Sequence, residues 1–203
     1  YPTSKIRSEL AQSFLLELSR RVKQKTLDGY RQALSLVLDL QISHAVSNVE
    51  TILKPRAYSK EQISFLTKCT SDQLKLSIEI AAACGLRAHE LDTISRPDEM
   101  AENEREWLQD RFQGLKNTCT FVVSGKGGLR RQIRIPSELT KSLEARRFAQ
   151  PTIVTQRGIH YLKRYALIGG QQFSQQFSRL SKTEFGWSNG AHGLRHFYAQ
   201  ERL

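Results

Sequence analysis

Apolar side chains recur every three or four positions over most of the chain, which is the spacing of helices that bury one face. Near the start this pattern predicts one amphipathic helix over residues 4–25 and a second from about Thr26 to Leu40. Lysines and arginines crowd residues 20–25, where they suit the C-terminal end of the first helix. Two helices alone make a thin domain.

The pattern changes around Pro55, which favours an extended conformation in the residue before it. Ser59, followed three residues later by Gln62, is the signature of a helix N-terminus. We therefore expect a domain boundary here, between residues 1–54 and residues 55–203.

The next helices are expected over residues 59–69 and 71–84, and the second is so apolar that it should be buried at the centre of its domain. Gly85 follows it, as a C-cap glycine would. Arg87 thus lies where the buried helix ends and a further turn begins.

Two β-branched or alternating runs, residues 118–124 and 129–136, flank the glycine-rich segment 125–128. Two such runs across a glycine-rich turn predict a β-hairpin.

Other segments carry weaker signals. The acidic stretch 97–110 predicts a solvated helix turned away from any polyanion. A helix is expected from Pro136 to about Arg147, followed by an irregular basic stretch. Phenylalanines at helical spacing predict a helix over residues 170–185, and a last helix is expected to begin near Asn189 or Gly190.

The charge balance narrows the class of partner. Thirty-one Lys and Arg residues against twenty Asp and Glu residues leave a net charge of +11, which favours an extended polyanion, nucleic acid before an anionic membrane surface. We expect a cytoplasmic protein, because no apolar run approaches a membrane span and no signal-peptide pattern opens the chain. The scattered Cys69, Cys84 and Cys119 are expected to be reduced core residues, neither zinc ligands nor disulfides.

Candidate chemistry appears at His192 and Arg195, three apart in the first turn of the last helix. A guanidinium fork, an imidazole and the free N–H groups of a helix N-terminus together suit a phosphate. Taken alone, the pair is more often an ordinary surface His and Arg.

A second group of cations lies on the predicted hairpin. Lys126 occupies the turn, and we expect the return strand to bind DNA through three arginines, Arg130, Arg131 and Arg134. The alternative is a solvated basic turn. A phosphate-binding P-loop is excluded because Gly127 follows the lysine, and a zinc-protease motif is excluded because Thr93 stands where His-Glu-x-x-His needs its second histidine. No metal site or cofactor is predicted.

Three short cationic motifs thus follow one another along the chain: Gly-Leu-Arg87-x-x-Glu90-Leu, Gly-Lys126-Gly-Gly and His192-x-Leu-Arg195-His. In this order they resemble the tyrosine recombinase family, the phage-integrase type of DNA breaking and rejoining enzyme. The resemblance covers residues 58–203, and residues 26–40 look like a helix of the family's core-binding domain.

The resemblance implies a role for each matching residue. Arg87 and Arg195 match the arginines that clamp the scissile phosphate, and Lys126 matches the lysine that protonates the departing 5′-oxygen. His192 matches the histidine that assists proton transfer, and Glu90 matches the acidic residue that supports the first arginine. Such a set stabilises and protonates a phosphodiester under attack without a metal.

The family's nucleophile is a tyrosine that forms a 3′-phosphotyrosine link, a few tens of residues beyond the second arginine and after a further His or Trp. This chain ends at Leu203, eight residues after Arg195, so we expect a fragment truncated before the nucleophile. Tyr198 is expected to be a packing residue.

The sequence therefore predicts a mainly α fold with a small antiparallel sheet, a tyrosine-recombinase catalytic core preceded by part of a helical core-binding domain. The resemblance implies site-specific recombination of duplex DNA that integrates or excises a mobile element. It also implies a homotetramer on DNA for the full-length protein, whereas the fragment alone is expected to be monomeric. The alternative is a basic helical DNA-binding regulator without chemistry.

Overall fold

The computed structural model describes residues 2–50, 52, 55–156 and 158–203. The chain folds as two compact units, residues 1–55 and residues 56–203. The expected boundary after Lys54 falls beside residues that lie outside the described part.

The first unit is a pair of helices, α1 (Pro2–Leu18) and α2 (Gln24–Leu38). A small apolar core lies between them and the segment that follows: Ala11, Leu15, Leu27, Ile42 and Ala45. The first helix is shorter than the predicted span to residue 25. Residues 19–22 form turns instead, in which the Val22 N–H donates to the Leu18 carbonyl.

The second unit begins with α3 (Lys60–Lys68) and α4 (Asp72–Cys84). The predicted helix start is confirmed as a capping box. The Ser59 hydroxyl accepts from the Gln62 N–H at 3.2 Å, and the Ser59 N–H donates to the Gln62 side chain at 2.9 Å. Helix α4 is mostly buried, and it ends at Gly85 in the left-handed conformation with φ +61°.

A short 3₁₀ helix (Ala88–Asp92) follows, and then the predicted hairpin of β1 (Thr118–Ser124) and β2 (Arg130–Pro136). The strands are antiparallel, and Phe121 is paired with Ile133. Helix α5 (Ser137–Glu144) comes directly after β2.

The acidic stretch 97–110 was predicted as a solvated helix, and that prediction is wrong, because the structure has a loop there. Pro97 lies at its start, and two of its six acidic side chains, Glu99 and Glu102, form ion pairs with arginines. Glu102 accepts from Arg111 with both oxygens at 3.0 Å. Arginines thus hold the loop in a non-helical shape.

The basic stretch after α5 was expected to be irregular, and this too is wrong. It forms a second antiparallel hairpin, β3 (Arg147–Gln156) and β4 (Ile159–Tyr165). Most of its residues are exposed, so the apolar alternation that marks a strand is weak in the sequence. Arg157, in its turn, lies outside the described residues.

The last elements are α6 (Gly170–Phe185) and α7 (His192–Glu201), close to their predicted spans. The cysteines are free, but Cys69 is exposed, so the prediction that all three are core residues is wrong for it. The fold is mainly helical with small antiparallel β-structure, as predicted, but it has two such sheets instead of one. In the part of the chain that the structure describes, no helix is long and apolar enough to cross a membrane.

Candidate functional site

A single buried carboxylate organises the site. Glu90 lies on the 3₁₀ helix and is fully buried. Its Oε2 accepts from the backbone N–H of Arg87 at 2.8 Å, and its Oε1 accepts from Arg87 Nη1 at 3.1 Å. The turn at Gly85 places Arg87 beside this carboxylate, while 41% of the Arg87 side chain stays exposed.

Two further arginines reach Glu90 from other elements. Arg131 on β2 donates from Nη2 to Oε2 at 2.9 Å, and Arg195 Nη1 on α7 lies 3.9 Å from the same oxygen. Arg195 also donates to the Gly85 carbonyl. Three guanidinium groups therefore surround one carboxylate, and the cluster has a surplus of positive charge that suits an anionic ligand.

The electrostatics of Arg195 reflect this surplus. Burial lowers the pKa of Arg195, and the neighbouring charge of Arg87 lowers it further, against the opposing effect of Glu90. The guanidinium remains charged at neutral pH. A phosphate placed between the arginines would offset their mutual repulsion.

His192 is the first residue of α7, and its exposed ring lies edge-to-face with His196 at 4.9 Å between centroids. Partial burial lowers the pKa of His192, and the charges of His196 and Arg195 add to the effect. The imidazole is therefore neutral at pH 7 and can accept a proton.

The helix N-terminus at His192 offers fewer donors than expected. The N–H of Gly193 donates to Gly190 at 3.0 Å, and the N–H of Leu194 donates to Ala191 at 3.2 Å. The expectation of free N–H groups is thus wrong for these two residues, because a turn precedes the helix and uses them. Fewer backbone donors are therefore left for an anion at this end of the helix.

Lys126 lies at the tip of the first hairpin, in a 3₁₀ turn (Lys126–Gly128). The turn packs against the carboxylate: a Cβ added at Gly125 would lie 2.8 Å from Glu90 Oε1 and 3.7 Å from Arg87 Nη1. Only glycine permits this approach. The Lys126 side chain is exposed and has no ion pair among the residues that the structure describes.

The three arginines predicted to bind DNA lie in different environments. Arg130 is exposed, Arg131 binds Glu90, and the Arg134 guanidinium lies over the Phe112 ring at 5.1 Å. Their contacts with DNA remain predictions. The structure thus brings Arg87, Glu90 and Arg195 together and adds Arg131.

The ring of Tyr198 packs against Gly85, where an added Cβ would clash with it. This contact accords with a packing role for Tyr198.

Sequence reasoning missed the ion pair of Arg131 and also a second buried acid. Asp92, two residues after Glu90, lies 3.0 Å from Lys163 Nζ and accepts from Gln156. A signal for Arg131 existed: it alternates with Ile133 and Ile135, whose side chains are buried. No local signal links Asp92 to Lys163.

Solved structures of one recombinase are similar to this chain in fold. The XerH site-specific recombinase bound to difH substrate, in a pre-cleavage complex, matches with a TM-score of 0.58 and 18% identity, covering 96% of this chain and 59% of that chain. Its post-cleavage complex with palindromic difH substrate matches with a TM-score of 0.57 and 19% identity, covering 96% and 60%.

No protein-family model matches the sequence, and a search of curated proteins finds no match. The chain spans about three fifths of the length of the XerH chains it resembles. The tyrosine-recombinase fold that the motif order implied is therefore confirmed by structural similarity.

Proposed function

We propose that this chain is the catalytic part of a site-specific DNA recombinase that cleaves and rejoins duplex DNA through a 3′-phosphotyrosine intermediate. The observation that carries the proposal is the gathering of Arg87, Arg131 and Arg195 on the buried Glu90. The turn that holds Lys126 packs against this carboxylate through Gly125, and the charges of Arg195 and Arg87 act on His192. The nucleophilic tyrosine, in this proposal, comes from a segment outside the chain.

The arginines would stabilise the transition state in which the phosphodiester is attacked. A phosphodiester under attack gathers negative charge on its nonbridging oxygens, and fixed guanidinium groups stabilise that charge without reorganising. Glu90 holds the Arg87 guanidinium in place, because it is buried and accepts two hydrogen bonds from Arg87. Arg87 and Arg195 are the proposed clamp.

The proton transfers would involve His192 and Lys126. The lowered pKa of His192 keeps its ring neutral, so that it can accept the proton of the attacking hydroxyl. Lys126, in the turn of the first hairpin, would donate a proton to the departing 5′-oxygen. Both side chains are exposed.

The partner is duplex DNA, in keeping with the net charge of +11 and with XerH, whose complexes contain its difH substrate. We propose that residues 1–54 belong to a DNA-clamping domain and that the longer protein recombines a mobile element as a homotetramer.

The test is strand cleavage by the longer protein that carries the proposed tyrosine. Arg87→Ala and Arg195→Ala should each nearly abolish the covalent protein–DNA product while duplex affinity stays within a few-fold, because the clamp acts mainly in the transition state. Arg179→Ala on the exposed side of α6 is the matched control and should cleave normally.

Thermal unfolding of each variant checks the fold. If the wild type binds DNA with no covalent product, the regulator is the better assignment. If a folded Arg87→Ala or Arg195→Ala variant cleaves at the wild-type rate, that arginine is not part of a clamp.

A further inference from the structure

Neighbouring arginines on β2 have different environments. Arg131 faces the same side as the buried Ile133 and Ile135, and only 22% of its side chain is exposed. Arg130 faces the other way and is exposed. The pleat of one strand therefore turns one arginine toward Glu90 and the other toward solvent.

We propose that Arg131 is a positioning residue, whose ion pair with Glu90 holds the Lys126 turn beside the arginine pair, rather than a DNA contact. The role assigned to Lys126 rests on the proposed function above. The ion pair itself joins Arg131 Nη2 to Glu90 Oε2 at 2.9 Å.

The turn is held from both strands. On the β1 side, the Ser124 N–H donates to Thr93 Oγ1 at 3.0 Å, and Thr93 directly follows the 3₁₀ helix. On the β2 side, the side-chain anchor to that helix is Arg131 on Glu90. The Gly125 N–H closes the turn by donating to the Leu129 carbonyl at 2.7 Å.

Lys126 depends on this anchoring. Its side chain is exposed and makes no ion pair within the described part of the chain, so the backbone of the turn determines where its ammonium can reach. A loosened turn would move the proton donor away from the leaving oxygen.

Loss of Arg131 would spare the clamp. Arg87 keeps its own contacts with Glu90 at 2.8 and 3.1 Å, which do not involve β2. The positive charges of Arg87 and Arg195 would still lie beside the Glu90 carboxylate. The effect of the substitution should therefore fall on the step that needs Lys126.

DNA binding by this chain separates a positioning role from a DNA contact. Duplex affinity is measured against salt for Arg131→Ala and for Arg130→Ala. Each phosphate contact contributes about 0.9 to the slope of log K against log salt. We expect Arg130→Ala to lower the slope by about that amount and Arg131→Ala to leave it unchanged. A slope lowered equally by Arg131→Ala overturns the proposal.

Amide hydrogen exchange then reports the anchor directly. The N–H groups of Gly125 and Gly128 donate to the Leu129 and Gly125 carbonyls, so their exchange reports opening of the turn. Exchange at these two residues should be faster in Arg131→Ala than in the wild type, while Arg130→Ala leaves it unchanged. Exchange in α4, whose residues are mostly buried, serves as the fold control. Unchanged exchange of the turn in a folded Arg131→Ala variant also overturns the proposal.

The chemical consequence is tested in the longer protein with DNA whose bridging 5′-oxygen is replaced by sulfur. A thiolate leaves without protonation, so the sulfur substrate does not need the lysine. Arg131→Ala and Lys126→Ala should be slow on ordinary DNA and close to wild type on the sulfur substrate. A misplacement of about 1 Å can cost on the order of a hundredfold, which sets the scale for Arg131→Ala.

Arg195→Ala should be slow on both substrates, because its charge is needed in either reaction. If Arg131→Ala is equally slow on both, the coupling to Lys126 is wrong. If the wild type cleaves neither substrate, the proposed function fails, and the salt and exchange measurements still decide whether Arg131 anchors the turn.

Discussion

The two hairpins of the second unit attach to the same short helix in the same way but are built differently. Each brings one cation to one buried acid: Arg131 to Glu90 at 2.9 Å, and Lys163 to Asp92 at 3.0 Å. The first hairpin also buries a row of apolar side chains in the core, namely Phe121, Val122, Val123, Ile133 and Ile135. The second buries Tyr165 at its base but leaves three large apolar side chains exposed, namely Ile153, Ile159 and Leu162.

The difference shows two ways of placing a strand pair. Apolar packing positions the body of the first hairpin. The ion pair between Arg131 and Glu90 then holds the tip of this hairpin beside the candidate site. Polar contacts near its base hold the second hairpin, where Tyr165 donates to Glu144 at 3.0 Å and accepts from Arg147 at 2.9 Å. Substitutions in the two hairpins should therefore have unequal effects.

The largest single effect is expected at Glu90, the first of the two buried acids. Glu90→Gln leaves three guanidinium groups without their carboxylate and should cost about 3–5 kcal/mol of unfolding free energy, the scale for breaking a buried ion pair. Asp92→Asn leaves one ammonium and should cost about 1–3 kcal/mol. Urea unfolding followed by circular dichroism measures both. A smaller loss for Glu90→Gln would contradict the comparison.

A matched pair of isoleucines gives the next largest effect. Ile133→Ala removes a side chain that is 2% exposed and should cost about 2–5 kcal/mol. Ile153→Ala removes one that is 70% exposed and should change stability by less than about 0.5 kcal/mol. Equal losses in urea unfolding would mean that both hairpins contribute apolar packing alike.

The smallest effect is expected at alkaline pH and belongs to the second hairpin. Burial raises the pKa of Tyr165 to about 12, and the adjacent Glu144 contributes. Because the folded state holds this proton more tightly, its contribution is complete below the unfolded pKa of about 10 and is lost as pH rises from there toward 12. Tyr165→Phe should remove the part of the loss of unfolding free energy at alkaline pH that comes from ionisation of Tyr165. Unfolding midpoints between pH 9 and 11 should thus converge for wild type and variant; parallel curves would count against this interpretation.

The sequence alone determined the helices and the first hairpin, because their signals are local. The capping residues Ser59 and Gln62 lie within one turn, and Gly85 directly follows the last residue of its helix. The first strand of that hairpin is a β-branched run, and the second alternates, with Ile133 and Ile135 buried. The order of the cationic motifs predicted the fold that structural similarity confirms. The contact between Arg87 and Glu90 could also be predicted from the sequence, because the two residues are only three positions apart.

Only the tertiary structure decided which distant charges meet. Arg131 is 41 residues from Glu90, and Arg195 is 110 residues from the carbonyl it binds, so no window of sequence contains both partners. The second hairpin escaped prediction because its exposed strands lack a buried face to impose alternation. The acidic loop escaped prediction because two of its carboxylates, Glu102 and Glu99, pair with Arg111 and Arg147 instead of lying on the solvated face of a helix. Local periodicity reports burial along one element, whereas ion pairs depend on how separate elements pack.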